Sequence, residues 1–156
     1  MDSIFKKMNF KDSKTVAVIH APTSFEANID AMQGLTTFVR DLSEVQKIDF
    51  ILAFCTKQAE VNALAIEASE HLEGDGQLWF AYPKGTSKRY TCDFNRDSGW
   101  EILGQQGFEG VRAVAIDNDW SALRFRRVEY IKKMTRSFAM TEKGKERIGE
   151  LGNHKM

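Results

Sequence analysis

The sequence predicts an α/β fold, namely a Rossmann-like three-layer α/β/α sandwich with a mainly parallel sheet. Three observations predict it. Four short segments are almost continuously apolar, as in T-V-A-V-I-H and Q-L-W-F-A-Y, which is typical of strands covered on both faces. Helical patterns alternate with these segments, as in parallel sheets. The last two predicted strands are separated by only three residues.

The strands are predicted at 15–20, 36–40, 48–55, 77–82, 111–117 and 121–126. Gly74, Asp75 and Gly76 predict a helix stop and a turn before the fourth strand. The link at 118–120 is too short for a parallel crossover, so the chain must end in an antiparallel hairpin.

The helices are predicted at about 3–8, 23–34, 56–74 and 98–107. Thr23 and Glu26 have the spacing of a capping box, and so do Ser98 and Glu101. Thr56 is predicted to cap the third helix, whose apolar residues form one stripe.

Length and charge limit the class of protein. The 156 residues are 42% hydrophobic, which suits one domain with a substantial core. Lys and Arg number 22, as do Asp and Glu, and this balance argues against nucleic-acid binding and against a disordered chain.

Cysteine use and hydropathy predict a cytoplasmic location. The two cysteines, Cys55 and Cys92, form no C-x-x-C motif and are predicted to be free thiols. No apolar run approaches the roughly 18 residues of a membrane span. The first ten residues lack the apolar stretch of a signal peptide.

The charge is unevenly distributed along the chain. Residues 132–156 carry a net charge of +4 and residues 1–131 a net charge of −4. We therefore predict a single domain at 1–131, followed by a basic tail at 132–156 that is partly helical or loosely ordered.

Familiar nucleotide fingerprints are absent. A dinucleotide or methyl-donor site is expected to place a glycine-rich turn after the first strand, but that strand ends in H-A-P-T-S. Lys84-Gly85-Thr86 has the wrong order for a phosphate-binding loop. No cofactor is therefore assigned, and the dispersed His20, His71 and His154 predict no metal site.

The carboxyl ends of parallel strands are where such sheets bind ligands. The loop at 83–88 follows one strand end and contains Lys84, Ser87 and Lys88, which are predicted donors to a phosphate or carboxylate. An ordinary solvated turn is the alternative.

Three further candidates for a ligand site are His20, Asp117 and Trp120, each at a strand end or in the hairpin. His20 is suited to acid–base work, although a histidine satisfied by neighbouring backbone is the alternative. The alternatives for the other two are structural: Asp117 would form the hairpin turn, and Trp120 would close the edge of the core. A nucleophilic Cys55 next to His20 is weighed against a buried, inert thiol.

The segment at 77–127 resembles a bacterial domain family of unknown function whose pattern is Y-P-K, an early helical Trp, a following Gly, and A-I-D-x-x-W-S-A-L-R-F. The matching residues are Tyr82, Pro83, Lys84, Trp100, Gly107, Ala115, Ile116, Asp117, Trp120, Ser121, Ala122, Leu123, Arg124 and Phe125. The resemblance implies no activity or cofactor. It links the loop at 83–88, which we call the lysine loop, to the predicted hairpin. Either a shared site or a Lys84–Asp117 ion pair would explain that link.

Three functions follow as hypotheses. The first is binding of a small anionic ligand by Lys84, Ser87 and Lys88, in a pocket lined by His20 and Trp120. The second is a protein-interaction or regulatory domain that uses the basic tail or an edge strand at 121–127, through which homo-oligomers would form. The third is an enzyme of unknown reaction that uses His20, Asp117 or Cys55.

Overall fold

A computed structural model describes residues 1–95 and 98–131. The helices are α1 (Ser3–Lys7), α2 (Glu26–Asp30), α3 (Gln58–His71) and α4 (Glu101–Gln105), and a 3₁₀ turn, Thr23–Phe25, precedes α2. The strands are β1 (Thr15–Ile19), β2 (Thr37–Val39), β3 (Ile48–Phe54), β4 (Leu72–Pro83), β5 (Phe108–Ala115) and β6 (Trp120–Arg127). The predicted tail at 132–156 lies outside the described residues.

The six strands form one mixed sheet in the order β2-β1-β3-β4-β6-β5. Neighbouring strands from β2 to β4 are parallel, whereas β6 runs antiparallel to both β4 and β5. The α/β fold with its C-terminal antiparallel hairpin is therefore confirmed.

The prediction that 121–127 is an edge strand is wrong. Strand β6 lies inside the sheet because it pairs with β4 on one side and β5 on the other. The described edges are β2 and β5, so an oligomer could not form by adding a strand to β6.

Two apolar cores lie on the two faces of the sheet. The α1–α2 core contains Phe5 and Phe25 together with Phe50 and Trp79 of the sheet. The α3–α4 core contains the α3 stripe, Leu103 of α4, and sheet residues that include Phe80. The alternation of side chains along each strand supplies both cores, which gives three layers.

The predicted helix caps are wrong in detail. No side chain caps the 3₁₀ turn at Thr23 or helix α4, and Glu26 instead forms a bidentate pair with Arg40 at 2.9 Å. At α3 the Glu60 carboxylate accepts from the Thr56 and Lys57 N–H groups, at 2.8 and 3.1 Å.

Strand β4 starts five residues earlier than predicted, because α3 ends at His71 and the chain enters the sheet at once. The residues expected to form a turn therefore lie within β4, where the pairing with β3 shifts register. Gly76 suits this place because a Cβ there would lie 2.9 Å from the Asp49 carbonyl oxygen. The predicted strands at 36–40 and 111–117 are observed as β2 and β5, with shifted bounds.

Candidate functional site

A cavity of about 480 Å³ lies at the carboxyl end of β4. Its lining consists of the end of β4, the loop that follows it and the start of β6: Tyr82, Pro83, Lys84, Gly85, Ser87, Tyr90, Thr91, Cys92, Phe94, Asn95 and Ser121. We call it the β4 cavity. It lies beyond the carboxyl end of a parallel strand, on the side where β4 pairs with the antiparallel β6, and away from the point between β1 and β3 where the strand order reverses.

The lysine loop is tied to the β5–β6 hairpin by hydrogen bonds. The Lys84 N–H donates to the Asp119 carbonyl at 2.8 Å, and the Ser87 hydroxyl donates to the Asp119 carboxylate at 2.8 Å. Lys84 and Asp117 form no ion pair among the described residues, and the Asp117 carboxylate accepts from the N–H groups of Asp119 and Trp120. Asp117 thus shapes the hairpin turn.

The predicted donors differ in their access to the cavity. Lys84 lines it, and among the described residues its ammonium has no carboxylate partner. Ser87 also lines it, but its hydroxyl donates to Asp119 and accepts from the N–H groups of Arg89 and Tyr90, which leaves no proton to donate to a ligand. Lys88 is exposed and is not among the lining residues.

Trp120 is a core residue. It is 3% exposed, and its ring packs against Phe54 and Tyr90 at centroid distances of 5.1 and 4.9 Å. Its indole nitrogen is buried without a hydrogen-bond partner in the described part of the chain. Trp120 therefore supports the cavity wall from behind through Tyr90 and does not itself line the cavity.

His20 lies in a different place, beside a cavity of about 510 Å³ between the ends of β1 and β2 and helix α3. Carboxylates of Asp41, Glu60 and Glu67 line that cavity, and the guanidinium of Arg40 is held by Glu26. The His20 ring nitrogen Nδ1 lies 3.9 Å from Glu60. The structure therefore does not bring His20 together with the lysine loop, and its surroundings are acidic.

The proposed nucleophile Cys55 is 1% exposed, and burial raises the pKa of its thiol. A buried thiol that stays protonated is a poor nucleophile. Cys92, by contrast, is partly exposed and lines the β4 cavity, with its thiol donating to the Phe94 carbonyl.

This contrast predicts the alkylation pattern of the native protein. With iodoacetamide at pH 8, Cys92 should be modified at least about tenfold faster than Cys55, because only Cys92 is accessible to the reagent. Peptide mass spectrometry over a time course measures both rates, and the urea-unfolded protein, in which both thiols react, is the control. Equal rates in the native protein would contradict the burial of Cys55.

Sequence reasoning missed most of the cavity wall. Tyr90, Thr91, Phe94 and Asn95 belong to a segment without helical or strand periodicity. The available signal was two aromatic residues in an otherwise polar stretch directly after a strand end.

No family model and no curated protein matches this sequence. Solved structures do match in fold. A SAM-dependent methyltransferase from Aquifex aeolicus matches with a TM-score of 0.55 and 12% identity, over 78% of this chain and 86% of that one. The N-methyltransferase NodS from Bradyrhizobium japonicum matches with a TM-score of 0.51 and 12% identity, over 80% and 91%. A ribosomal protein L11 methylase from Lactobacillus delbrueckii matches with a TM-score of 0.50 and 17% identity, over 78% and 73%.

These likenesses show a Rossmann-like fold. Whether such a fold can bind a methyl donor here depends on the turn after β1. That turn, residues 20–24, contains no glycine, so every position carries a side chain where a bare backbone was expected. Pro22 supplies no N–H, and His20 adopts a φ of 59° with its imidazole exposed. None of the described glycines lies against the adjacent acidic cavity. The residues present do not fit a glycine-based methyl-donor site.

Among residues 1–95 and 98–131, no three His, Cys, Asp or Glu side chains are grouped closely enough to hold a metal ion. No helix in the same residues has the length and apolar character needed to cross a bilayer.

Proposed function

We propose that this chain binds a small anionic ligand in the β4 cavity, with the Lys84 ammonium as the charged contact. The observation that carries the proposal is the charge of the lining. Lys84 is the one charged side chain among the described lining residues, and no carboxylate accompanies it. The cavity volume of about 480 Å³ lies within the range of small-molecule sites, about 300–1,000 Å³.

Two carboxylates that contact or follow the loop, those of Asp119 and Asp93, form hydrogen bonds within the protein. Asp119 accepts from the Ser87 hydroxyl, and Asp93 accepts from the Gln58 N–H at the start of α3, at 2.6 Å. Lys88 and Arg89 add positive charge at the rim of the same loop. Lys84 is therefore the charge that an anion meets within the β4 cavity itself, while the charges around the loop are of both signs.

Hydroxyl groups supply further donors beside the lysine. Thr91 and Ser121 both line the β4 cavity, Thr91 from the loop and Ser121 from β6. Hydroxyl donors on two elements together with one ammonium match the few convergent polar groups that orient a bound carboxylate or phosphate.

Replacement of Lys84 tests this proposal. In a titration of the ¹⁵N-labelled protein with benzoate and with inorganic phosphate, at least one anion should saturate and shift the amide signals of Thr91 and Ser121. Lys84→Gln should weaken that binding about tenfold or more, because a charge-assisted hydrogen bond contributes about 1.5–3 kcal/mol.

Lys88→Gln is the matched control, since Lys88 belongs to the same loop but lies outside the cavity. It should weaken binding by less than about twofold at 0.15 M salt, where exposed charges are screened within about 8 Å. Equal losses in the two variants, or no saturable binding of either anion, would overturn the proposal.

A further inference from the structure

We infer that the β4 cavity prefers an anion that carries a flat aromatic ring, that is, an aromatic carboxylate. This inference rests on the proposed anion binding and names the class of ligand. Two aromatic side chains line the cavity in addition to Tyr82, and they belong to opposite faces of the sheet. Tyr90 packs against the α1–α2 core and Phe94 belongs to the α3–α4 core.

The Tyr90 wall is held in place from two directions. Its ring packs on Trp120 at a centroid distance of 4.9 Å, with the ring planes tilted by 51°. Its backbone N–H donates to the Ser87 hydroxyl oxygen at 3.1 Å, and Ser87 is itself bonded to Asp119. A wall fixed in this way loses little conformational entropy when a ligand packs against it.

The Phe94 wall is equally constrained. Its ring contacts Trp100 edge-on at 5.2 Å and Tyr82 at 6.4 Å. Gly99 passes so close that a Cβ there would lie 2.7 Å from the Phe94 Cβ. Gly99 is in turn held at α3, because the Gln58 amide donates to the Gly99 carbonyl at 2.7 Å.

These walls and Lys84 together define the ligand. Tyr90 is half-buried whereas Phe94 is buried, so a ligand ring packs mainly against Tyr90. This contact gains the preference of aromatic pairs, about 0.5–1.5 kcal/mol beyond buried area, or about 2- to 10-fold in affinity. A carboxylate on the same ligand is then available to the Lys84 ammonium and to the Thr91 and Ser121 hydroxyls.

Benzoate and cyclohexanecarboxylate separate this preference from anion binding, since both carry one carboxylate on a six-membered ring and only benzoate is aromatic. Titrations followed by amide chemical shifts should show benzoate binding about 2- to 10-fold more tightly. Tyr90→Leu should bring that ratio close to one, because leucine keeps an apolar wall but offers no aromatic ring.

Tyr130→Leu is the matched control, since Tyr130 is also half-buried and lies beside Gly74 at the other end of the sheet. It should leave the ratio unchanged. Equal affinities for the two acids in the wild type, both still dependent on Lys84, would overturn the aromatic preference alone. A preference for benzoate that survives in Tyr90→Leu would overturn it as well. Binding of both acids that is independent of Lys84 would overturn the proposed function itself.

Discussion

Trp120→Ala should lower the free energy of unfolding by about 3–5 kcal/mol, the usual cost of removing a large aromatic side chain from a core. Trp120 is almost fully buried, and its ring contacts Phe54 of β3 and Tyr90 of the cavity wall. Truncation would leave a void between these two rings at the end of the sheet. Urea denaturation followed by far-ultraviolet circular dichroism measures the change.

Trp120→Phe is the informative companion variant. Phenylalanine retains much of the apolar contact and removes the buried, unpartnered indole N–H, a feature that costs about 1–3 kcal/mol. We therefore expect a much smaller loss of stability than with alanine. A decrease of less than about 1 kcal/mol in the free energy of unfolding of Trp120→Ala would contradict a core role for Trp120.

Arg127→Met should lower the free energy of unfolding by about 2–3 kcal/mol, because the Arg127 guanidinium connects β6 to the end of α3. It donates to the carbonyls of Ser69, Leu72 and Gly74, at 3.2, 2.9 and 2.6 Å. It also lies 5.4 Å from the centre of the Phe108 ring. Methionine keeps the aliphatic length but leaves three carbonyl groups without this donor.

The control for Arg127→Met is Arg112→Met on the exposed part of β5. It removes the same charge without removing a cap, so its effect should stay within about 0.5 kcal/mol. Urea titrations of both variants in the same buffer compare them directly. Similar losses would show that net charge, and not the capping of α3, determines the effect.

The sequence supports the architecture because apolar runs and short links are local signals. The runs that form β1 and β3 were visible from continuous burial, and the three-residue link forced a hairpin. The position of β6 between β4 and β5 was not visible, since the same hairpin satisfies the link whichever of its strands pairs with β4. The arrangement that forms is the one that buries more apolar surface, and that surface comes from residues far apart in sequence.

The candidate site is also predictable from the sequence only where local signals determine it. Lys84 was predicted correctly to lie at a strand end, because strand ends follow from the topology. Ser87 and Asp117 were predicted as ligand contacts, yet their polar groups satisfy the turns in which they lie. Short polar side chains suit both purposes, and only the completed hydrogen-bond network separates them. The acidic surroundings of His20 arise from β2 and α3, which the chain brings together only on folding.

The interior position of β6 has a consequence for biosynthesis. A nascent chain that has emerged only as far as residue 115 contains β4 and β5 but not the strand that pairs with both. The edges of β4 and β5 that pair with β6 then lack their hydrogen-bonding partner, and Ser121 of the β4 cavity has not yet been made. The β4 cavity therefore forms late in synthesis, and until then the unpaired strand edges are open to pairing with other chains on the same polysome.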